Sequence, residues 1–190
     1  MRWDALFDDM EAQLASVDRL ELEAEIAERS RADVAGVELA DRLRGSLGLR
    51  VGVHLASGSV FDGTLGHVGA ESLVLSDPHH QVLVPYAAVL RYQGLGRLAV
   101  TEPSSVRRKL GLASALRGLA RDRTGLSVFL IGGVEGMAGL TGVIDRVGRD
   151  YFDLAVTRPG EARRAANVSQ VATVPFASLG ALRSLRGAEL

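Results

Sequence analysis

From Val51 onward, apolar residues recur at every second position: Val51, Val53 and Leu55, then, past the turn Ala56-Ser57-Gly58-Ser59, Phe61, Gly63 and Leu65. A period of two predicts strands with one buried face. Leu73 and Leu75 supply a third strand after a turn at Gly69 to Ser72, and Val82 and Val84 a fourth. Pro85 has no N–H to donate and ends that ladder. A short turn through Tyr86-Ala87-Ala88 leads to a last strand from Val89 to Tyr92. Gly63 stands mid-strand, where a glycine marks a bulge or sharp bend.

The first 44 residues follow another period. Trp3, Phe7, Met10, Leu14 and Val17 recur at steps of four and three, which lines one face of a helix. The stripe fades after Leu22 and Ile26, where Glu21, Glu25 and Arg29 stack at four-residue spacing on an exposed face. A long helix is predicted, with a break admissible near Ser16 to Asp18. Its apolar seam packs either on the rest of the chain or on another chain.

The strand pattern is written twice. Gly63-Thr-Leu-Gly-His-Val-Gly69-Ala-Glu-Ser-Leu-Val-Leu75 returns 79 residues later as Gly142-Val-Ile-Asp-Arg-Val-Gly148-Arg-Asp-Tyr-Phe-Asp-Leu154. Val82-Leu-Val-Pro85-Tyr-Ala-Ala-Val89 returns as Ala172-Thr-Val-Pro175-Phe-Ala-Ser-Leu179. Longer loops in the second copy, at Gly132 to Gly139 and Thr157 to Gln170, fall at hairpin tips and leave the pattern intact. Leu39-Ala-Asp-Arg-Leu-Arg-Gly45 and Leu112-Ala-Ser-Ala-Leu-Arg-Gly118 repeat as well, so each strand set is preceded by a helix. Ser104 or Ser105, after Pro103, is the predicted cap of the second of these.

These elements predict a mainly β fold with helices (α+β): two tandem, small, five-stranded SH3-like barrels, each preceded by a helix, plus a long N-terminal helix. The expected divisions are an acidic N-terminal helix at 1–38, a helix and first barrel at 39–95, a basic linker helix at 96–124 and a second barrel at 125–190.

Charge is uneven along the chain. Residues 1–44 hold six arginines against twelve acidic residues, and residues 97–125 hold seven basic residues against two acidic, while the whole chain nets only −1. Such segments either dock on each other or meet outside partners. No apolar run reaches the roughly 18 residues of a membrane helix. The start lacks the basic and apolar regions of a secretory signal, so a cytoplasmic location is expected. With no cysteine there is no disulfide and no thiolate chemistry.

Val53-His-Leu-Ala-Ser-Gly58-Ser-Val-Phe-Asp-Gly63-Thr-Leu, with Val68-Gly69 and Leu73-Val-Leu75, resembles the first motif of Sm-like proteins. Gln81-Val-Leu-Val-Pro-Tyr-Ala-Ala-Val89 resembles the closing strands of their bacterial Hfq branch. As a whole the chain also resembles members of an uncharacterised protein family of high-GC actinobacteria, which its single lysine among 22 basic residues suits. The resemblance implies the barrel fold and, in members that read oligo-U, RNA binding through a polar residue and Asn before the third strand and a Lys-His pair before the last. Those places hold Gly69-Ala-Glu-Ser72 and Pro85-Tyr86 here, and Gly148-Arg-Asp-Tyr151 and Pro175-Phe176 in the second copy. The uridine pocket is therefore not carried over. Tyr86, Tyr151 and Phe176 either stack bases or plug the ends of the barrels.

No residue is assigned to catalysis, to a cofactor or to a metal. Asp77, His79 and His80 lie together, yet Asp-Pro-His-His is also an ordinary polar turn. Asp145, Asp150 and Asp153 have no His or Lys nearby in sequence. The expected function is a non-enzymatic binding or scaffold protein acting through the barrel surfaces and the helix bearing Trp3, Phe7, Met10 and Leu14, with another protein or a second copy as partner. The alternative is RNA binding through Arg107, Arg108, Lys109 and Arg117 of the linker and the Arg163-Arg164 loop. Neither a membrane nor a small-molecule substrate is expected.

Overall fold

The computed structural model describes residues 2–105, 110–132, 139–158, 164 and 167–185. The chain divides into two compact units, Met1–Glu38 and Leu39–Leu190. The first is one helix, α1 (Arg2–Ala35), unbroken at Ser16 to Asp18. Its second half carries the exposed ion pairs Arg29–Glu25 and Arg31–Glu28, four and three residues apart. Fully solvated pairs of this kind add only a few tenths of a kcal/mol.

The second unit opens with α2 (Leu39–Arg44), followed by β1 (Arg50–Leu55), β2 (Val60–Val68), β3 (Ser72–Ser76), β4 (Gln81–Pro85) and β5 (Val89–Gln93). A single 3-10 turn, Tyr86–Ala88, links the last two. After the linker come α3 (Leu112–Arg121), β6 (Gly125–Leu130), β7 (Leu140–Val147), β8 (Tyr151–Val156), β9 (Gln170–Pro175) and β10 (Leu179–Ser184). All ten strands join one antiparallel sheet in the order β5-β1-β2-β3-β4-β10-β6-β7-β8-β9. Two separate five-stranded barrels are therefore not what this sequence makes. The correction has a physical origin: β10 pairs with β4, Leu182 opposite Leu83 and Arg183 opposite Val82, so an edge that each repeat would leave open is closed by the other.

The predicted bend also needs revision. Gly63 sits in regular register opposite Val51, and the bulge falls farther on, between Leu65 and His67. The second repeat places its bulge at the equivalent step, between Ile144 and Arg146. What the glycines provide is close approach. A Cβ at Gly63 would lie 3.0 Å from the Ser76 carbonyl oxygen, and one at Gly142 would collide with the Ala155 carbonyl oxygen.

Each strand set has its own core. The first gathers Val51, Val53, Leu65, Leu73 and Val84 with Leu43 of α2. The second gathers Leu126, Val128, Ile144, Phe152, Leu154 and Leu179 with Leu112 and Leu116, four residues apart on α3. Helix α3 starts at Leu112, well past Ser104 and Ser105, the serines expected to cap it; its N-cap is Gly111 and makes no side-chain cap bond. The carboxylate of Glu71, from the β2–β3 turn of the first repeat, accepts the Leu112 N–H at 2.7 Å instead. An anion there also meets the positive end of the helix.

Gly142→Val should lower stability by about 3 kcal/mol and Gly63→Val by about 1 kcal/mol, because a Cβ at Gly142 overlaps a backbone carbonyl outright whereas one at Gly63 only crowds the Ser76 carbonyl oxygen at 3.0 Å. Chemical denaturation of the two variants beside the parent checks the ranking.

Candidate functional site

The residues that make the seam between β4 and β10 belong to both cores at once. Ala181 of β10 is fully buried among the side chains of the first core, with Phe129 and Ile131 packed beside it. Leu83 of β4 is buried in the second core, with Val74 of β3 against it. Phe61 and Phe129 meet edge to face, ring centroids 5.2 Å apart. The Arg183 guanidinium lies over Phe129 at 5.4 Å. At the end of the seam, the Gln81 N–H donates to Ser184 Oγ at 2.9 Å, and His80 Nδ1 lies 3.0 Å from the Ser184 carbonyl oxygen.

The sheet ends at β5 on one side and β9 on the other; among the described residues β5 pairs only with β1, and β9 only with β8. Leu90 on β5 is 73% exposed and Val171 on β9 is 60% exposed. The two edges are polar where the seam is apolar. Counting the repeat, Tyr92 and Gln93 stand for Leu182 and Arg183, and Thr173 and Ala172 for Leu83 and Val82. Asp153, opposite Thr173 on β8, stands for Val74.

Asp153 is buried at 8% exposure. Thr173 Oγ1 donates to its Oδ1 at 2.7 Å, and Arg146 pairs with Oδ2 at 2.9 Å. These two donors, Thr173 foremost, hold the carboxyl below the usual carboxylate range against the opposing effect of burial. On the other edge Tyr92 packs its ring on the first core, and its buried hydroxyl has no hydrogen-bond partner among the described residues. Burial pushes the Tyr92 phenol up to about 12. Beside it, Arg91 and Gln93 each approach the His54 ring at 3.4 Å.

Of the residues singled out in the sequence, Arg107, Arg108, Lys109 and Arg163 lie outside the described residues, as do the side chains of Trp3, Phe7 and Leu14. Met10 is 49% exposed on α1. Arg117 is exposed on α3, its Nη2 3.4 Å from the Gly148 carbonyl oxygen, and Arg164 is exposed in its loop. The structure does not gather the described basic residues into one site: Arg123 is already paired with Asp145 at 3.0 Å. Tyr86 donates from its hydroxyl to the Gly69 carbonyl at 2.8 Å and packs on the first core, while Phe176 packs on the second.

The remaining candidate chemistry is structural in its geometry. Asp77 Oδ1 accepts the N–H groups of His79 and His80 at 2.6 and 2.7 Å, which closes the β3–β4 turn and keeps that carboxyl charged below its usual range. Among the described residues no group of three or more His, Asp or Glu side chains is placed to hold a metal ion, and no helix is long and apolar enough to cross a membrane. A cleft of about 420 Å³ is lined by Arg44, His67 and Glu102. Its arginine is already committed, since Arg44 Nη1 meets Asp41 Oδ1 at 2.6 Å with both side chains nearly buried.

The seam residues went unremarked in the sequence, although a position-by-position comparison of the repeats picks out Leu83 against Thr173 and Val74 against Asp153. Compared with known proteins, the sequence matches no family model and no curated protein.

Asp153 gives a test with a defined sign. A carboxyl whose pKa falls on folding adds stability that is fully present above its unfolded value, about 3.9, and lost as pH drops through the lower folded value. Thr173→Val should raise the Asp153 pKa towards the ordinary range and lower stability at neutral pH, with little penalty once the carboxyl is protonated. NMR titration of the carboxyl and denaturation at neutral and acid pH measure both.

Proposed function

We propose that this protein is a non-enzymatic scaffold that works by strand pairing at the open ends of its sheet, with α1 as a second contact surface. One observation carries the reading: the sheet ends in two strands, β5 and β9, which among the described residues have no strand on their outer side, and each exposes an aliphatic side chain, Leu90 or Val171. Edge strands that stay solitary are guarded by proline, inward charge or a covering segment, because the bare edge is a template for another strand. Here Pro175 closes only the last position of β9. The α1 residues Met10, Leu20, Leu22, Ile26 and Val34 are exposed apolar groups of the kind a partner helix covers.

RNA binding is the alternative, favoured by the exposed Arg117 and Arg121 on α3 and by the basic excess of residues 97–125. Phosphate contacts release counterions, so such binding would fall steeply with salt. On the scaffold reading, a titration with U-rich and mixed-sequence RNA oligomers gives weak association at low salt, none at physiological salt and no sequence preference. Tight, sequence-selective association at physiological salt would reverse the order of the two readings.

A further inference from the structure

We infer that the cleft between α2, β2 and the linker receives the N-terminus of a peptide: Glu102 takes the α-ammonium group, the Arg44 guanidinium takes the first carbonyl oxygen, and the apolar wall takes the first side chain. The inference goes beyond strand pairing, since the cleft draws no residue from β5 or β9.

The linker builds this cleft. The Val100 N–H donates to the Asp41 carbonyl oxygen at 2.9 Å, and Thr101 Oγ1 donates to Asp41 Oδ2 at 3.4 Å. Arg42 Nε donates to the Gly96 carbonyl oxygen at 3.1 Å, and the Gly96 N–H donates to Ser46 Oγ at 3.1 Å. These bonds strap residues 96–101 along α2 and leave a hollow of about 420 Å³ bordered by the β2 bulge at Gly66 and His67. Clefts that hold small ligands run to roughly 300–1,000 Å³. The second repeat treats the equivalent place differently. Asp145 stands where the first repeat has Gly66 and pairs with Arg123, while Arg117 stands for Arg44 and is exposed.

The lining selects the occupant. The Arg44 side chain is only 10% exposed, and Asp41 takes its Nη1. Nε of the same guanidinium is buried with no hydrogen-bond partner among the described residues. A buried donor left in that state costs free energy until an acceptor arrives. Because Asp41 already balances the arginine's charge, a neutral carbonyl oxygen fits there better than a second carboxylate. Glu102 is the one carboxylate that lines the cleft among the described residues; its Oε1 accepts the Ser104 N–H at 3.0 Å, and no described cation pairs with it. That end calls for positive charge. Leu47, Val68, Val100, Pro103 and Leu110 make up the apolar wall, which favours an organic body over a hydrated ion. An ammonium one carbon away from a carbonyl, with an apolar side chain on that carbon, is the first residue of a polypeptide. Chain ends are recognised through such convergent polar groups.

Calorimetric titration of the full-length protein with the amide of the dipeptide leucyl-valine tests the site, with the N-acetylated dipeptide amide and free leucine as controls. The dipeptide amide should bind saturably. Acetylation removes the ammonium charge and should weaken binding about tenfold or more, the worth of a hydrogen bond between charged groups. Free leucine, whose carboxylate would lie near Asp41 and Glu102, should also bind about tenfold more weakly. Glu102→Gln should weaken the dipeptide amide about tenfold at an unchanged melting temperature. Arg44→Lys keeps a cation beside Asp41 but has no Nε donor, and should weaken it roughly threefold to tenfold; if that variant does not fold, Glu102→Gln decides. Equal binding of the acetylated probe, parent-like affinity in Glu102→Gln, or no saturable binding overturns the inference. The strand-pairing reading is judged separately, by the RNA titration, and survives any of these results.

Discussion

Everything in the larger unit depends on the pairing of β10 with β4. Without it the chain would hold two short sheets, each with two bare edges and an incomplete core. With it, the last strand of the second repeat lies along the open edge of the first, and the two cores exchange residues there: Ala181 goes one way, Leu83 the other. Burial of apolar side chains such as these, worth about 1.5–3 kcal/mol each, is won only when both repeats are in place. The stability of either half is thus a property of the pair.

Duplication explains the symmetry of this arrangement, and divergence between the two copies explains why one junction is favoured. Identical repeats would pair indiscriminately, within a chain or between chains. Here the row at the seam is leucine and valine, whereas the equivalent row at the open edges is tyrosine, threonine and aspartate. A dry, apolar row of this kind is what a permanent contact requires.

The strands were legible in the sequence because half-buried strands write their period directly: Val51, Val53 and Leu55 or Val82 and Val84 admit little else. The duplication was legible for the same reason. Their union was not. Alternation says which face is buried but is silent about which edge finds which partner, so Leu182 and Leu83, a hundred residues apart, looked like members of two closed domains. Asp153 was likewise hidden, since its partner Thr173 is brought beside it by register and not by spacing. The start of α3 is not written locally, because the Leu112 N–H is satisfied by Glu71, a carboxylate from the other repeat, and not by a serine before the helix. Arg107, Arg108, Lys109 and Arg163 lie outside the described residues, so for these four the basic character stands as composition alone.

The exchange of core residues across the seam has a topological consequence. Because the two repeats are joined by a linker but completed by each other, a break in the peptide chain between β5 and α3 would leave two fragments that each present the missing strand of the other. Neither fragment could satisfy its own edge, yet together they carry every residue of the seam. The larger unit is in effect a noncovalent pair encoded as one polypeptide, and the linker adds to it twice: it raises the local concentration of the two parts, and it is bonded to the first of them, the Val100 N–H donating to the Asp41 carbonyl oxygen at 2.9 Å.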